Sequence, residues 1–481
     1  MIPGIYFEKC GLHSHNQLSG CIVADNDGNR RDGIRDIDEA KPFLLMLIGN
    51  DVFNGSGVKL PLEDGVHDGI MVPEKRILLK NCGEIDPGQI ASYEKKGGFK
   101  ALVKARDMSP EEVIGEVKAS GLRGRGGAGF SCGVKWELAK NRPGKQKYLI
   151  CNADEGEVGT FKDRYIIKND PFSLVEGMAI AGYAIGAKKV YVYLRAEYHS
   201  LLETLKNAIM QAKEKGYLNG LKVEIREGAG SYICGEESAL MNSIEGKRGE
   251  ARYRPPFPPE RGLFEKPTVI NNVETLVNIP PIVLKGSKWY SGMGTKKSKG
   301  TKIFSVSGDV TKPGIYEMEL GCTLKELVVD LAGAKGIKMV QVGGSTGGIV
   351  PYSMLSTALS YETVLGSGAV VVFDERRDVI DFVYRTMEFL SEESCGFCTP
   401  CREGTEVMME ILGRLVKGDG AQEDIGALED LSNAMIASSM CGLGQTAAIP
   451  VLDTLKYFRN EYENRISQSV FLRSFQPIKI S

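Results

Sequence analysis

Between Gly121 and Gly129 five glycines fall within nine residues, interleaved with Arg123 and Arg125. A helix start precedes the run: Ser109 suits an N-cap, Pro110 the first helical position, and Glu111 and Glu112 complement the helix dipole. Val113, Ile114 and Val117 give that helix an apolar face. A loop poor in Cβ atoms admits positive φ and lets backbone N–H groups close on a ligand, so it can cradle phosphate while an arginine supplies charge. A flexible surface loop has the same look, so the neighbouring segments decide.

Those segments alternate. Residues 147–151 read as a strand leading into Asn152-Ala-Asp-Glu-Gly-Glu, 171–185 as a helix, 190–194 as a strand and 198–215 as a helix. A strand at 221–225 then runs into Gly228-Ala-Gly-Ser-Tyr-Ile-Cys-Gly-Glu-Glu. Strands alternating with helices predict a parallel α/β sheet, with its ligand at the strands' C-terminal ends, where the polar Gly-rich turns fall. Upstream, 77–79 reads as a short strand and 88–97 as a helix with its stop. Residues 250–300 are Pro-rich and loop-like, and include Thr268-Val-Ile-Asn-Asn-Val-Glu-Thr. Strands at 302–308, 315–317, 340–342 and 369–373, with a helix at 323–333, predict a small β-grasp unit. From Arg377 a helical period dominates, broken at Cys395 and at Gly418-Asp-Gly, which predicts a helical bundle.

The 481 residues suffice for about two to four domains. A formal net charge of −2 gives no general reason to bind nucleic acid or an anionic membrane. The longest strongly apolar run, 43–48, falls far short of the ~20 residues that span a bilayer, so no membrane insertion is expected. Eleven cysteines without a secretory signal point to a reducing cytoplasm. His13, His15, His67 and His199 form no evident cluster, and Cys10 and Cys21 beside the first two have irregular spacing for a metal site.

Cys395-Gly-Phe-Cys398-Thr-Pro-Cys401 carries the strongest chemical signal. Three thiolates at this spacing can each reach a different iron of one cuboidal cluster, and Cys441 is the natural fourth ligand. Zinc competes, but its sites more often use two separated Cys-x2-Cys pairs. Cys82, Cys132, Cys151, Cys234 and Cys322 have no partner pattern and read as small packing residues.

Taken together, Gly-Arg-Gly-Gly-Ala-Gly-Phe, Asn-Ala-Asp-Glu-Gly-Glu, Gly-Ser-Tyr-Ile-Cys-Gly-Glu-Glu, Ile-Asn-Asn-Val-Glu-Thr and Cys-Gly-Phe-Cys-Thr-Pro-Cys resemble one family over about residues 76–470. It is the NADH-binding flavoprotein subunit of respiratory complex I and of NAD-linked or electron-bifurcating hydrogenases, formate dehydrogenases and transhydrogenases. The resemblance implies an α/β fold in four parts: an N-terminal extension of unknown role (1–75), a Rossmann-like FMN/NADH-binding domain with a parallel sheet (76–300), a β-grasp (ubiquitin-like, SLBB) domain (301–375), and a helical [4Fe–4S] domain (376–481). It implies FMN on Gly124, Arg125, Gly126, Lys135, Asn152, Asp154, Glu155, Gly235, Glu236, Asn271, Asn272 and Thr275. NADH would lie near Gly127, Ala128, Phe130, Glu157, Tyr232, Glu237 and Phe257, with Glu157 and Lys135 positioning the hydride transfer. The cluster would sit on Cys395, Cys398, Cys401 and Cys441.

The resemblance further implies a cytoplasmic diaphorase subunit of a multisubunit soluble complex, using NAD(H) or NADP(H). Electron bifurcation with ferredoxin at the flavin is the reading carried forward. A subunit of a complex I-type assembly is the alternative, and a catalytically inert docking subunit is the alternative of another class. Partners implied are a thioredoxin-like [2Fe–2S] subunit, a further iron–sulfur or catalytic subunit, and ferredoxin. Ser131-Cys132-Gly133 departs from the Pro-Thr-Gly of many relatives. An Rnf-type electron-transport subunit would usually need two full cysteine runs where this chain has one partial run. A β-grasp ligand-binding module over 301–373 is the remaining rival.

Overall fold

The computed structural model describes residues 76–466, together with a pair of two-residue antiparallel strands, Val23–Ala24 and Arg30–Arg31. The expectations for residues 1–75, including the apolar run at 43–48, otherwise lie outside the described residues.

A four-stranded, wholly parallel sheet is built from Tyr148–Ala153, Lys189–Leu194, Lys222–Glu227 and Thr268–Asn272. Tyr148–Ala153 lies between Lys189–Leu194 and Thr268–Asn272, with Tyr148 opposite both Lys189 and Thr268. The chain leaves the first strand toward one edge and later returns to its other side, so the crevice between Tyr148–Ala153 and Thr268–Asn272 is the switch point where such sheets bind ligands. Helix Pro171–Ile185 crosses behind the sheet and is buried on nearly every side. Its limits follow from local chemistry: the Asp170 carboxylate accepts the Ser173 amide, Pro171 occupies the first turn, and Gly186 closes the helix at φ 74°. At helix Pro110–Ala119 the expected cap is a full capping box, with Ser109 and Glu112 each accepting the other's backbone N–H.

Two readings are corrected. Residues 77–79 form no strand. Instead the amides of Ile77, Leu78 and Leu79 all donate to the buried Glu317 carboxylate, so a short apolar run is held by a side chain rather than a ladder. The stretch 250–300, read as loop, contributes the edge strand Thr268–Asn272 and the helices Val273–Val277, Ile279–Lys285 and Ser287–Ser291. Two apolar residues in a five-residue strand leave no period to detect, and Pro280 and Pro281 sit in the first turn of a helix, where proline is tolerated.

The second sheet has five strands, in the order Gly348–Pro351, Ile337–Val342, Ala369–Asp374, Thr301–Gly308, Gly314–Glu319. Its parallel pair, Ala369–Asp374 with Thr301–Gly308, joins two antiparallel hairpins, which is the β-grasp arrangement. Strand Gly348–Pro351 carried no sequence signal. The helix expected at 323–333 is present but wound as a π-helix over Glu326–Leu331. Helices Val379–Glu392, Thr399–Lys417, Glu423–Ser438 and Ile449–Tyr457 complete the chain, and pack on Met339, Ile349, Val371 and Phe373 of the β-grasp sheet. Among the described residues no helix is long and apolar enough to cross a membrane.

Candidate functional site

The glycine loop is closed at its base, where the Gly124 amide donates to the Phe130 carbonyl at 2.8 Å and the Cys132 amide to the Leu122 carbonyl at 2.9 Å. Exposure then alternates. Gly126, Ala128 and Phe130 face out, while Arg125 and Gly129 are buried. The Arg125 guanidinium turns inward to the Tyr290 hydroxyl and to the carbonyls of Lys299, Thr301 and Arg123, so this residue fixes the loop from beneath. Its amide is held by Thr275 Oγ1 at 2.8 Å. The amides of Gly126, Gly127 and Ala128 donate to no other described residue, which leaves a row of donors for an anion. At Gly126 a side chain would meet Asn272, because an added Cβ would lie 3.0 Å from the Asn272 Cβ. A side chain there would have to push Asn272 aside by a few tenths of an ångström, so glycine lets the loop press onto the strand end.

Opposite the loop, Asn152 donates to the Gly235 carbonyl and accepts the Asp154 amide, both at 3.0 Å. Asp154 has a buried carboxylate oxygen without a partner, and burial pushes its carboxyl up to about 7. Asn271 accepts Trp136 Nε1 at 2.8 Å. Asn272 caps helix Val273–Val277 and donates to Asp163 at 2.6 Å. Glu155 receives the amides of Asp163 and Arg164 and the Tyr198 hydroxyl, so its carboxylate shapes the turn. Glu236 caps helix Glu237–Ile244 and pairs with Arg254. Lys135 Nζ lies 3.2 Å from both Glu237 Oε2 and the Ile270 carbonyl. Phe130 and Phe257 are each about half exposed.

Glu157 is tied across elements, accepting the Tyr232 hydroxyl at 2.9 Å and the Ser345 amide of the β-grasp unit at 2.7 Å. Tyr232 reaches the helical region as well. Its amide donates to Glu393 at 2.8 Å and its ring meets the edge of Phe389, with centroids 5.3 Å apart. Glu393 stands two residues before Cys395, so one tyrosine links the crevice to the cysteine loop.

Cys401 and Cys441 are buried and Cys395 and Cys398 half-buried, within one cluster that includes Ile233, Cys234, Leu240 and Leu443. Cys398 begins the 19-residue helix Thr399–Lys417. Gly444, three residues past Cys441, lies so close to Cys401 that an added Cβ would come within 3.0 Å of the Cys401 Cβ. Burial pushes the Cys401 thiol up to about 11, and the other three thiols add to the shift. Among the described residues no three His, Cys, Asp or Glu side chains converge as they would on a single ion. Cys395, Cys398, Cys401 and Cys441 share one side-chain cluster, and four thiols from one segment are the donor set that a cuboidal cluster takes. Cys82, Cys132, Cys151 and Cys234 are buried, as packing residues should be, and Cys322 is half-buried.

Residues 117–281 match the family described as the Nuo51 FMN-binding domain, and 381–465 the NADH-ubiquinone oxidoreductase-F iron-sulfur binding region. The NADP-reducing hydrogenase subunit HndC of Solidesulfovibrio fructosivorans is 45% identical over 409 residues, covering 81% of this chain and 83% of that protein. The chain belongs to the family of NADH-binding flavoprotein subunits. An NADH-quinone oxidoreductase F subunit of Rhizobium meliloti (strain 1021) is 43% identical over 82% of this chain and 98% of its own length. A chain of the NAD+-reducing [NiFe]-hydrogenase crystal structure in the H2-reduced state superposes with a TM-score of 0.73 at 41% identity. That match covers 76% of this chain, which spans 64% of the length of the hydrogenase chain. Members of this flavoprotein family bind FMN and a [4Fe–4S] cluster. The free amides of the glycine loop, the unpartnered Asp154 oxygen and the four-thiol pocket fit those two groups.

Residues beyond the motif set also build the site: Ser345, Tyr361, Glu393, Lys162 and Asp163. The first three come from segments distant in sequence, and no local pattern marks them. Lys162 and Asp163 follow the Asn-Ala-Asp-Glu-Gly-Glu motif closely and are the two that lie within reach of that turn's sequence.

Proposed function

We propose that this chain is an NAD(P)H:acceptor oxidoreductase (diaphorase) subunit, moving hydride between NAD(H) and FMN and passing single electrons to its [4Fe–4S] cluster. The carrying observation is the row of free loop amides and the unpartnered Asp154 oxygen, with Tyr232 bridging Glu157 to Glu393 beside the four clustered cysteines. Bound FMN supplies the conversion between a two-electron and a one-electron carrier. The chain's own residues bind and orient. The amides of Gly126, Gly127 and Ala128 receive phosphate, and Lys135 adds positive charge tempered by Glu237. Asn152, Asn271 and Asn272 are held rigid by their own hydrogen bonds and present fixed polar edges. Phe130 and Phe257 offer apolar faces to adenine. Glu157 accepts hydrogen bonds from the ribose or carboxamide. Glu157 and Glu237 would repel a 2′-phosphate, which favours NADH over NADPH.

Relatives named as hydrogenase and quinone-reductase subunits support a place in a multisubunit assembly. The partners proposed there are a thioredoxin-like [2Fe–2S] subunit and a further iron–sulfur or catalytic subunit. The finer reading adds electron bifurcation with ferredoxin at the same flavin, and takes 76–300, 301–375 and 376–481 as the working units. The test is diaphorase activity with an artificial acceptor. The purified protein should reduce the acceptor with NADH, in proportion to its FMN content, at a kcat/KM at least tenfold above that with NADPH. A yellow protein inert to both nucleotides would refute the reading.

A further inference from the structure

We infer that Tyr361, contributed by the loop before the last β-grasp strand, is a positioning residue for the flavin loop. The inference rests on reading residues 124–130 as that loop.

A run of glycines has little shape of its own, because each has more backbone freedom to lose than any other residue. Something outside the loop must fix it. One side chain reaches both of its ends. The Tyr361 hydroxyl donates to the Gly124 carbonyl at 2.6 Å and accepts from Arg125 Nη1 at 3.2 Å. Its ring lies beneath Gly129, which sits at φ +65°, and a Cβ there would come within 2.5 Å of the ring. The Arg123 guanidinium stacks on the same ring at 4.2 Å and donates through Nε to the Gly129 carbonyl.

The anchor is itself braced. The Tyr361 amide donates to Ser298 Oγ at 2.9 Å, and the Glu362 carboxylate takes the hydroxyls of Thr295 and Ser298. The β-grasp unit touches the crevice at further points: Ser345 on Glu157, Ser367 on Thr160, and Ser305 on the Phe161 amide. The second sheet therefore acts as a brace, and Tyr361 is its side-chain contact with both ends of the loop, beside the Thr301 carbonyl that takes Arg125. A loop ordered beforehand binds its ligand without a further ordering cost.

The inference is tested by the rate at which FMN leaves the holoprotein, followed as free-flavin fluorescence after dilution. Tyr361→Phe keeps the ring on Gly129 and Arg123 but frees the Gly124 carbonyl, and should release FMN about tenfold faster. Tyr361→Ala should release it faster still. With FMN saturating, the NADH KM of Tyr361→Phe should rise several-fold while kcat stays within twofold of wild type. The cluster's EPR signal of Tyr361→Phe should remain unchanged. Release from Tyr361→Phe at the wild-type rate would overturn the inference, as would faster release with a matching loss of cluster signal. A wild-type protein that carries no FMN would overturn the flavin reading itself.

Discussion

At Glu157 opposing influences meet. Burial raises its carboxyl, and the Ser345 amide and Tyr232 hydroxyl offset part of the rise, leaving it at about 6. With the folded value above the ordinary 4.5, the group is an ionised acceptor above about pH 6 and protonated below it. A charged acceptor contributes about 1.5–3 kcal/mol to a hydrogen bond, on the order of tenfold or more in affinity. The NADH KM should therefore rise about tenfold as pH falls from 7.5 to 5. Glu157→Gln should start from the higher KM and lose that dependence. An unchanged pH profile in the variant would remove Glu157 from the nucleotide site. Arg125 teaches the converse at the same scale. The motif marks it as a cation for phosphate, yet its guanidinium is buried among hydroxyls and carbonyls, a distinction no sequence pattern carries.

Between elements, the joint of the two sheets is held by buried charge. Glu274 sits at the start of helix Val273–Val277, pairs with Lys302 and with Lys162 at 3.0 Å, and accepts the Ile303 amide at 2.8 Å. Burial opposes its ionisation, but Lys302, Lys162 and Arg125 hold its carboxyl below the usual value. Glu274→Gln leaves Lys302 without its carboxylate in the interior, while Lys162 keeps Asp163. It should cost about 3–5 kcal/mol, read as a fall in the denaturant unfolding midpoint. A midpoint unchanged within experimental error would contradict a stabilising role for this buried charge cluster. Helix Pro171–Ile185 was legible to the residue because proline, aspartate and glycine mark its ends. Strands Thr268–Asn272 and Gly348–Pro351 were not, since each is short and owes its place to a neighbouring strand rather than to a pattern.

Across the whole molecule, the motifs fell where the topology puts a ligand, because Gly-rich turns at strand ends are themselves the chemistry. The bracing around them was not legible. Tyr361, Ser345 and Glu393 come from segments more than a hundred residues away, and only the packing of the β-grasp sheet and the helices brings them in. One flavin crevice connected to one group of four cysteines within this chain would make NADH oxidation and cluster reduction a single path. Its most direct test is an anaerobic NADH titration followed by flavin absorbance and EPR together, in the wild type and in Cys398→Ala. The wild-type flavin should bleach as a reduced [4Fe–4S] signal rises, and Cys398→Ala should keep the bleaching while losing the signal. A full cluster signal in Cys398→Ala, or a wild-type flavin that NADH leaves oxidised, would contradict it.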